Sequence, residues 1–215
     1  MTEPIVLNQK PSIIGQYLSQ LRDVNSQSDA ERFRNNLRKI GWCMGYEISK
    51  ELKYKEASIE TPLGTAKEHL PAEPCVVISI LRAALPFSEG IIDMLSKSET
   101  GFIGAMRTEA SQIEIDLSYM AIPNVGGKKV IIVDPMLATG KSLIKTVNAL
   151  LVKGQPSSLD IATVISAPEG IEFLNKKITQ PFRLWTGAID DHLNDKSYIV
   201  PGLGDAGDLS FGPKV

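Results

Sequence analysis

The sequence is poor in the residues from which structural metal sites are built. It contains two cysteines, Cys43 and Cys75, and two histidines, His69 and His192. The cysteines lie far apart in the chain without CxxC spacing, which argues against a structural zinc site. Both cysteines have apolar neighbours, so we expect buried and unreactive thiols.

Long apolar runs and an excess of one charge are also lacking. No apolar run approaches the roughly 20 residues of a membrane-spanning helix, and the N-terminus has no basic start followed by an apolar stretch. We therefore expect a cytoplasmic protein without a membrane partner. The formal net charge is -2 at pH 7, and a chain without a basic excess has no general attraction for nucleic acid. Any anion site must be local.

The sequence has the composition of one globular domain. Of its 215 residues, 43% are hydrophobic and 22% are charged, and no repeat or linker divides residues 1–215. Residues 1–52 are predicted to be helical, because Ser28 and Glu31 have the spacing of a capping box. An apolar stripe follows at helical intervals, consisting of Phe33, Leu37, Ile40, Met44 and Ile48. We interpret this helix as a hood over the domain or as an interface helix between subunits.

From Cys75 onwards, short apolar runs alternate with helical stretches. This alternation predicts an α/β fold with a central, mostly parallel sheet flanked by helices. The predicted strands are residues 75–81, 101–106, 129–134, 160–165 and 183–188. The predicted helices are residues 86–96, 142–153 and 168–177. Within residues 112–120, residues 113–117 alternate apolar and acidic side chains, which predicts a β-arm or flap within residues 107–120, or else a plain surface hairpin.

One loop predicts an anion site. Apolar residues 130–133 are followed by Asp134 and by small residues that open a helix. The ending TGKS, residues 139–142, is like that of a Walker A loop, but Pro135 stands where that loop needs a glycine. The N–H groups at a helix start suit a monophosphate, and Asp134 suits a sugar diol or a hydrated cation. We predict a ribose 5-phosphate site; a capped helix without a ligand is the alternative.

Two arginines and a glycine-rich segment could complete such a site. Arg82 and Arg107 each follow an apolar strand, and together they could clamp a multiply charged anion, since guanidinium groups match phosphate geometry. The alternative for Arg82 is an ion pair with a nearby carboxylate. Residues 198–208, YIVPGLGDAGD, mix glycines with apolar residues, which predicts an ordered loop that binds a small planar ligand through its backbone, or else a flexible tail.

These segments resemble a known family. VIIVDPMLATGKS, residues 130–142, is similar to the 5-phosphoribosyl 1-pyrophosphate (PRPP) loop of the type I phosphoribosyltransferases. YIVPGLGDAGD, together with ILRA at residues 80–83, resembles the uracil phosphoribosyltransferases, and the resemblance covers residues 34–212. It implies the type I phosphoribosyltransferase fold and a reaction of uracil with PRPP that gives UMP and pyrophosphate.

The resemblance also implies roles for individual residues. Arg82, Arg107 and Asp205 would be the catalytic groups, and Asp205 would bind Mg²⁺ through pyrophosphate and water. The PRPP-binding residues would be Arg82, Arg107, Asp134, Pro135, Met136, Leu137, Ala138, Thr139, Gly140, Lys141, Ser142 and Asp205. The uracil-binding residues, within a C-terminal loop at 198–212, would be Tyr198, Ile199, Gly204, Asp205 and Ala206. Lys141 stands where the family usually has glycine, so it either adds a cation near the phosphate or points to solvent.

Partners and rival functions follow from the same comparison. The resemblance implies a homodimer or homotetramer and GTP as an effector. An RNA-binding regulator of pyrimidine operons with this fold is an alternative, but it predicts a basic face, and the net charge of -2 disfavours one. A phosphoribosyltransferase for a purine or another acceptor is a second alternative, which the C-terminal motif opposes.

Overall fold

The structure is a computed structural model that describes residues 3–108 and 114–213, without the side chains of residues 105–118. Its strands are β1 (Ile5–Val6), β2 (Tyr54–Thr61), β3 (Gly64–Pro71), β4 (Cys75–Leu81), β5 (Glu99–Thr108), β6 (Glu114–Ala121), β7 (Lys129–Val133), β8 (Met136–Leu137), β9 (Ser158–Ser166), β10 (Arg183–Ile189), β11 (His192–Leu193) and β12 (Ile199–Val200). Its helices are α1 (Ile13–Arg22), α2 (Ala30–Ser49), α3 (Leu85–Met94), α4 (Lys141–Lys153), α5 (Pro168–Lys177) and α6 (Ala206–Phe211).

The described residues form a central sheet of eight strands in the order β1-β10-β9-β7-β4-β5-β6, with β8 added beside β9. All neighbours are parallel except β5 and β6, which are antiparallel. Strands β4 and β7 are buried along nearly their whole length, because helices cover both faces of a parallel sheet. The predicted α/β architecture is confirmed, and each of the five predicted strands is present.

Helix α2 belongs to the core of the domain. The predicted apolar stripe is buried to 1% exposure or less, and α2 lies so close to α3 that a Cβ on Gly41 would stand 2.3 Å from the Phe87 carbonyl oxygen. The stripe therefore cannot serve as an interface face, and that interpretation was wrong. The predicted capping box was wrong as well: Asp29 is the N-cap and accepts a hydrogen bond from the Arg32 N–H at 3.1 Å. Ser28 and Asp29 are both good caps, so sequence alone could not choose between them.

A hairpin that the sequence analysis missed lies outside the central sheet. Strands β2 and β3 pair antiparallel with each other as a separate two-stranded sheet, and nearly every residue in them is exposed. Leu63 at the turn is fully exposed. A hairpin with neither face buried has no apolar alternation, which is the signal that sequence analysis relies on.

The predicted β-arm is described in part. Strands β5 and β6 are antiparallel, with a register irregularity between Gly104 and Met106, so the strand predicted within residues 112–120 is confirmed for 114–120. Residues 109–113 lie outside the described residues. A role of this arm as a flap stays a prediction.

The C-terminal segment is ordered rather than a flexible tail. Ile199, Leu203 and Ala206 are 4%, 3% and 1% exposed. The predicted loop at 198–212 is partly regular, since it contains β12 and ends in helix α6. The glycine spacing did not reveal this helix, which is only six residues long.

A buried cluster of charged side chains lies near the N-terminal ends of strands β7, β9 and β10. Asp160 is fully buried, pairs with Lys129 and Arg183, and accepts a hydrogen bond from Trp185 Nε1 at 3.0 Å. Burial raises the pKa of the nearby Cys75 thiol, in keeping with an unreactive cysteine. Among the described residues, none of the helices is long and apolar enough to cross a membrane.

Candidate active site

The predicted phosphate-binding loop, residues 134–142, is called the phosphate loop below. Its first half is hydrogen-bonded to the central sheet. The Asp134 N–H, directly after β7, donates to the Ala162 carbonyl of β9 at 3.1 Å. The N–H groups of Val164 and Ile165 both donate to the Pro135 carbonyl, at 3.0 and 3.1 Å. Proline has no N–H to donate, but its carbonyl accepts both of these hydrogen bonds. They fix the direction in which the loop leaves β7.

The second half of the loop rests on helix α5. Gly140 has φ 75° and is the N-cap of α4, which begins at Lys141, one residue earlier than predicted. A Cβ on Gly170 of α5 would stand only 2.2 Å from the Ala138 carbonyl oxygen, so this close approach requires glycine. The first N–H groups of α4 have no intrahelical acceptors and lie at the positive end of the helix dipole. They lie where the sequence predicted an anion site, and binding of an anion there stays a prediction.

Arg82 is tied to the C-terminal segment. One of its terminal nitrogens, Nη2, donates to Asp208 Oδ1 at 3.0 Å and to the Gly212 carbonyl at 2.6 Å. The ion pair that the sequence left open for Arg82 is therefore present. Its Nε is buried without a hydrogen-bond partner among the described residues, so this N–H can donate to a ligand.

Asp205 is the N-cap of helix α6. Its Oδ1 accepts hydrogen bonds from the N–H groups of Gly207 at 2.8 Å and Asp208 at 3.0 Å. This structural role was not foreseen from the sequence, which assigned Asp205 only to ligand binding. Because one carboxylate oxygen makes both contacts, the same side chain can cap the helix and offer its other oxygen to a ligand.

These elements meet around one cavity of about 160 Å³. Most of the predicted site residues line it: Arg82, Asp134, Pro135, Met136, Ala138, Thr139, Gly140, Lys141, Ser142, Asp205 and Ala206. The cavity therefore brings together three segments that are distant in sequence. The side chain of Arg107 lies outside the described residues.

Some predicted residues do not line this cavity, and others were missed. Leu137 is buried in the core below the loop, Ile199 is buried, and Tyr198 is 43% exposed; neither these nor Gly204 reaches the cavity wall. The lining residues that were not assigned from sequence are Ile80, Leu81, Ala83, Leu143 and Gly207. Four of these five residues lie in the ILRA and GLGDAGD motifs. The motifs could therefore have identified them, although their side chains have no polar groups that suggest ligand binding.

The acidic residues of the cavity fit a magnesium ion that arrives with a phosphate ligand. Asp134 and Asp205 are the carboxylates among the described lining residues, and no group of three or more metal-binding side chains occurs in the described part of the chain. Mg²⁺ is commonly held by one or two carboxylates together with substrate phosphates and water, rather than by a full protein cage.

Comparison with known proteins decides the family. The family model described as "Uracil phosphoribosyltransferase" matches residues 8–213. The chain belongs to the uracil phosphoribosyltransferase family. The resemblance covered residues 34–212, whereas the family model begins at residue 8 and therefore also includes helix α1 and the start of α2. The family, the fold and the enzyme class predicted from the sequence motifs are confirmed.

Individual relatives within the family agree along nearly the whole chain. A uracil phosphoribosyltransferase from Porphyromonas gingivalis is 38% identical and covers 99% of this chain and 100% of its own. One from Sulfolobus acidocaldarius is 39% identical, with coverage of 99% and 98%.

Solved structures support the fold. The structure of a protein from Aquifex aeolicus superposes with a TM-score of 0.87 at 32% identity, and covers 100% of both chains. A hypoxanthine phosphoribosyltransferase from Staphylococcus aureus superposes with a TM-score of 0.52 at 16% identity, over 74% of this chain and 76% of its own. This second likeness shows the shared phosphoribosyltransferase fold alone.

Proposed function

We propose that the protein transfers the phosphoribosyl group of PRPP to uracil, giving UMP and pyrophosphate. The observation that carries this proposal is the cavity in which the phosphate loop, Arg82 and the C-terminal motif meet. Membership of the uracil phosphoribosyltransferase family supports uracil as the acceptor.

The phosphate loop would hold the 5-phosphate of PRPP. Residues 138–142 line the cavity, and the first turn of α4 offers N–H groups that favour an anion. Lys141 is exposed and lines the same cavity, so its ammonium adds a cation near the phosphate. Asp134, at the tip of β7, would accept hydrogen bonds from the ribose hydroxyls.

Arg82 would bind the pyrophosphate group. It lies on the cavity wall, and its buried Nε has no partner among the described residues. Arg107 is the second arginine proposed for this group, on the resemblance alone. A pair of guanidinium groups stabilises the negative charge that grows on pyrophosphate as its bond to the ribose C1 breaks.

The remaining chemistry requires positioning rather than a protein nucleophile. Uracil N1 forms the new bond to C1 and loses its proton to water or to the leaving pyrophosphate, while the bond between C1 and pyrophosphate breaks. The rate therefore depends on alignment of the two substrates and on exclusion of water that would react with the ribose. We propose that uracil lies against Asp205 and Ala206, the predicted base-binding residues that line the cavity. Mg²⁺, when bound with PRPP, would neutralise charge on the leaving group, and Asp205 and Asp134 would hold it through water or the substrate.

Self-association is a further part of the proposal. A group of exposed apolar side chains on helices α1, α2 and α3 supports it: Ile13 is 50%, Trp42 41%, Tyr46 55% and Met94 44% exposed. Such a group is typical of a surface that is covered in an assembly. The GTP response rests on the resemblance alone, and the cytoplasmic location stays a prediction from sequence.

The proposal is tested by UMP formation from uracil and PRPP with Mg²⁺, with and without GTP. Cytosine, hypoxanthine and orotate serve as competing bases. We expect product from uracil and from none of the others. Absence of product with every base, in a preparation that still binds PRPP, would contradict the proposal and favour the RNA-binding regulator.

A further inference from the structure

A partly buried ion pair holds the segment proposed to bind the base, and it does so from outside the cavity. Arg22 is the last residue of α1, and Asp190 directly follows β10. Arg22 Nη1 and Nη2 donate to the two carboxylate oxygens of Asp190 at 2.8 and 2.6 Å. The Asp190 side chain is 4% exposed and that of Arg22 is 25% exposed. Neither residue lines the cavity.

Both members of the pair also hold the backbone of Gly202. The Gly202 N–H donates to Asp190 Oδ2 at 2.9 Å, and Arg22 Nη1 donates to the Gly202 carbonyl at 3.0 Å. Asp190 is itself fixed, because its N–H donates to the Ser166 carbonyl of β9 at 2.9 Å. The N–H and the carbonyl of Gly202 are therefore both held by this ion pair, next to the carboxyl ends of β9 and β10.

Gly202 occupies a position where the chain has little freedom. Its φ is 64°, and a Cβ there would stand 2.1 Å from the Ile199 carbonyl oxygen. Only Leu203, which is buried, and Gly204 separate it from Asp205. Asp205, Ala206 and Gly207 line the cavity. Only a short stretch of chain therefore separates Gly202 from the three residues that line the cavity.

We propose that Arg22 and Asp190 are positioning residues for the acceptor base. They hold Gly202 so that residues 204–207 are in place before uracil binds. A segment that recognises a base mainly through backbone groups cannot adjust by rotating side chains, so its placement decides both affinity and alignment. This inference rests on the proposed function.

The test uses Arg22→Gln, Asp190→Asn and the double variant Arg22→Leu/Asp190→Leu. Arg38→Gln is the matched control, because Arg38 forms a similar contact with Asp93, at 3.0 and 2.9 Å, between α2 and α3. For the single variants we expect kcat/KM for uracil to fall roughly 10- to 100-fold, because a displacement of about 1 Å has this scale of effect, while KM for PRPP changes by less than about twofold. The control should match the wild type in both constants.

The double variant separates positioning from stability. A single substitution leaves a partly buried charge without its partner, whereas the apolar pair removes both charges and can restore the thermal midpoint. If positioning is the role, the uracil defect persists in the double variant at restored stability. Recovery of kcat/KM for uracil together with the thermal midpoint would overturn the proposal, as would an equal loss for both substrates.

Hydrogen exchange gives a readout that does not depend on activity. We expect faster amide exchange at residues 202–208 in the single and double variants, with no change in strand β7. Unchanged exchange in that segment would overturn the proposal. If the wild type makes no UMP, the proposed function fails, and the exchange comparison still decides whether the pair holds the segment.

Discussion

At the scale of single residues, the site is built from side chains with two tasks. Asp205 caps α6 with one carboxylate oxygen and lines the cavity. Arg82 lines the same cavity and holds Asp208 and the Gly212 carbonyl. Arg82 was selected from the sequence because an arginine directly follows an apolar strand, and Asp205 was selected through the resemblance of its motif. Their structural contacts were not predictable, because they join positions far apart in the chain.

The structural role of Asp205 and its proposed catalytic role can be separated by a pair of substitutions. Asparagine is as good an N-cap as aspartate, whereas alanine costs about 1 kcal/mol at such a position. We expect Asp205→Asn to keep the free energy of unfolding and to lose roughly 100-fold in kcat, the scale for losing one group that acts on charge in the transition state. Asp205→Ala should lose both stability and activity. Urea unfolding and initial rates measure the two effects, and full activity in a folded Asp205→Asn would remove the carboxylate from the mechanism.

Lys141 provides a salt-dependent prediction. Because its side chain is exposed at the mouth of the cavity, its attraction for a phosphate should be screened by salt. Lys141→Gln should raise KM for PRPP at low ionic strength and approach the wild-type value at high ionic strength. Lys153→Gln, at the other end of α4, is the control and should leave KM unchanged. Equal KM values for wild type and Lys141→Gln at low salt would mean that Lys141 points to solvent.

At the scale of elements, helix α5 acts as the support of the phosphate loop. Its bounds, Pro168–Lys177, agree with the prediction at both ends, because a proline at the first position and a helical apolar pattern are local signals. The contact of α5 with the loop at Ala138 could not be predicted from local sequence, because it joins residues far apart in the chain. The glycine at position 170 marks it, but a glycine inside a helix has several explanations in sequence alone.

Gly170→Ala tests that support. The added Cβ would lie 2.2 Å from the Ala138 carbonyl oxygen, so the loop or the helix must shift. We expect a higher KM for PRPP and a lower thermal midpoint. Gly15→Ala in α1 is the control, since nothing lies within 4 Å of its Cβ position, and this change should stabilise the helix by roughly 0.5–1 kcal/mol. A Gly170→Ala protein with unchanged KM would show that the loop does not depend on this contact.

At the scale of the whole molecule, five strands of the central sheet and their mostly parallel pairing were predicted from the sequence, but the order of the strands in the sheet was not. Buried parallel strands such as β4 and β7 are continuous apolar runs and were found from the sequence. The order of strands in the sheet depends on long-range pairing, which no local pattern contains. The exposed hairpin of β2 and β3 was missed because neither of its faces is buried. Helix α2 was assigned an interface face that is in fact core, since a buried stripe within one subunit and one between subunits have the same spacing.

Assembly should depend on the outer side of α2 instead. Trp42 and Tyr46 are 41% and 55% exposed there, and removal of both rings should weaken association of the subunits. We expect Trp42→Ser/Tyr46→Ser to sediment as a smaller species than the wild type at equal concentration. Val152→Ser, at an 86% exposed position on α4, is the control and should sediment like the wild type. An unchanged sedimentation coefficient in the double variant would place the interface elsewhere.

The most direct test of the account is a crystal structure of the protein with UMP bound. The account predicts the 5-phosphate against the N–H groups of residues 138–142, the ribose hydroxyls at Asp134, and the uracil ring against Asp205 and Ala206. UMP bound elsewhere, or with its base outside the C-terminal segment, would contradict the proposed active site.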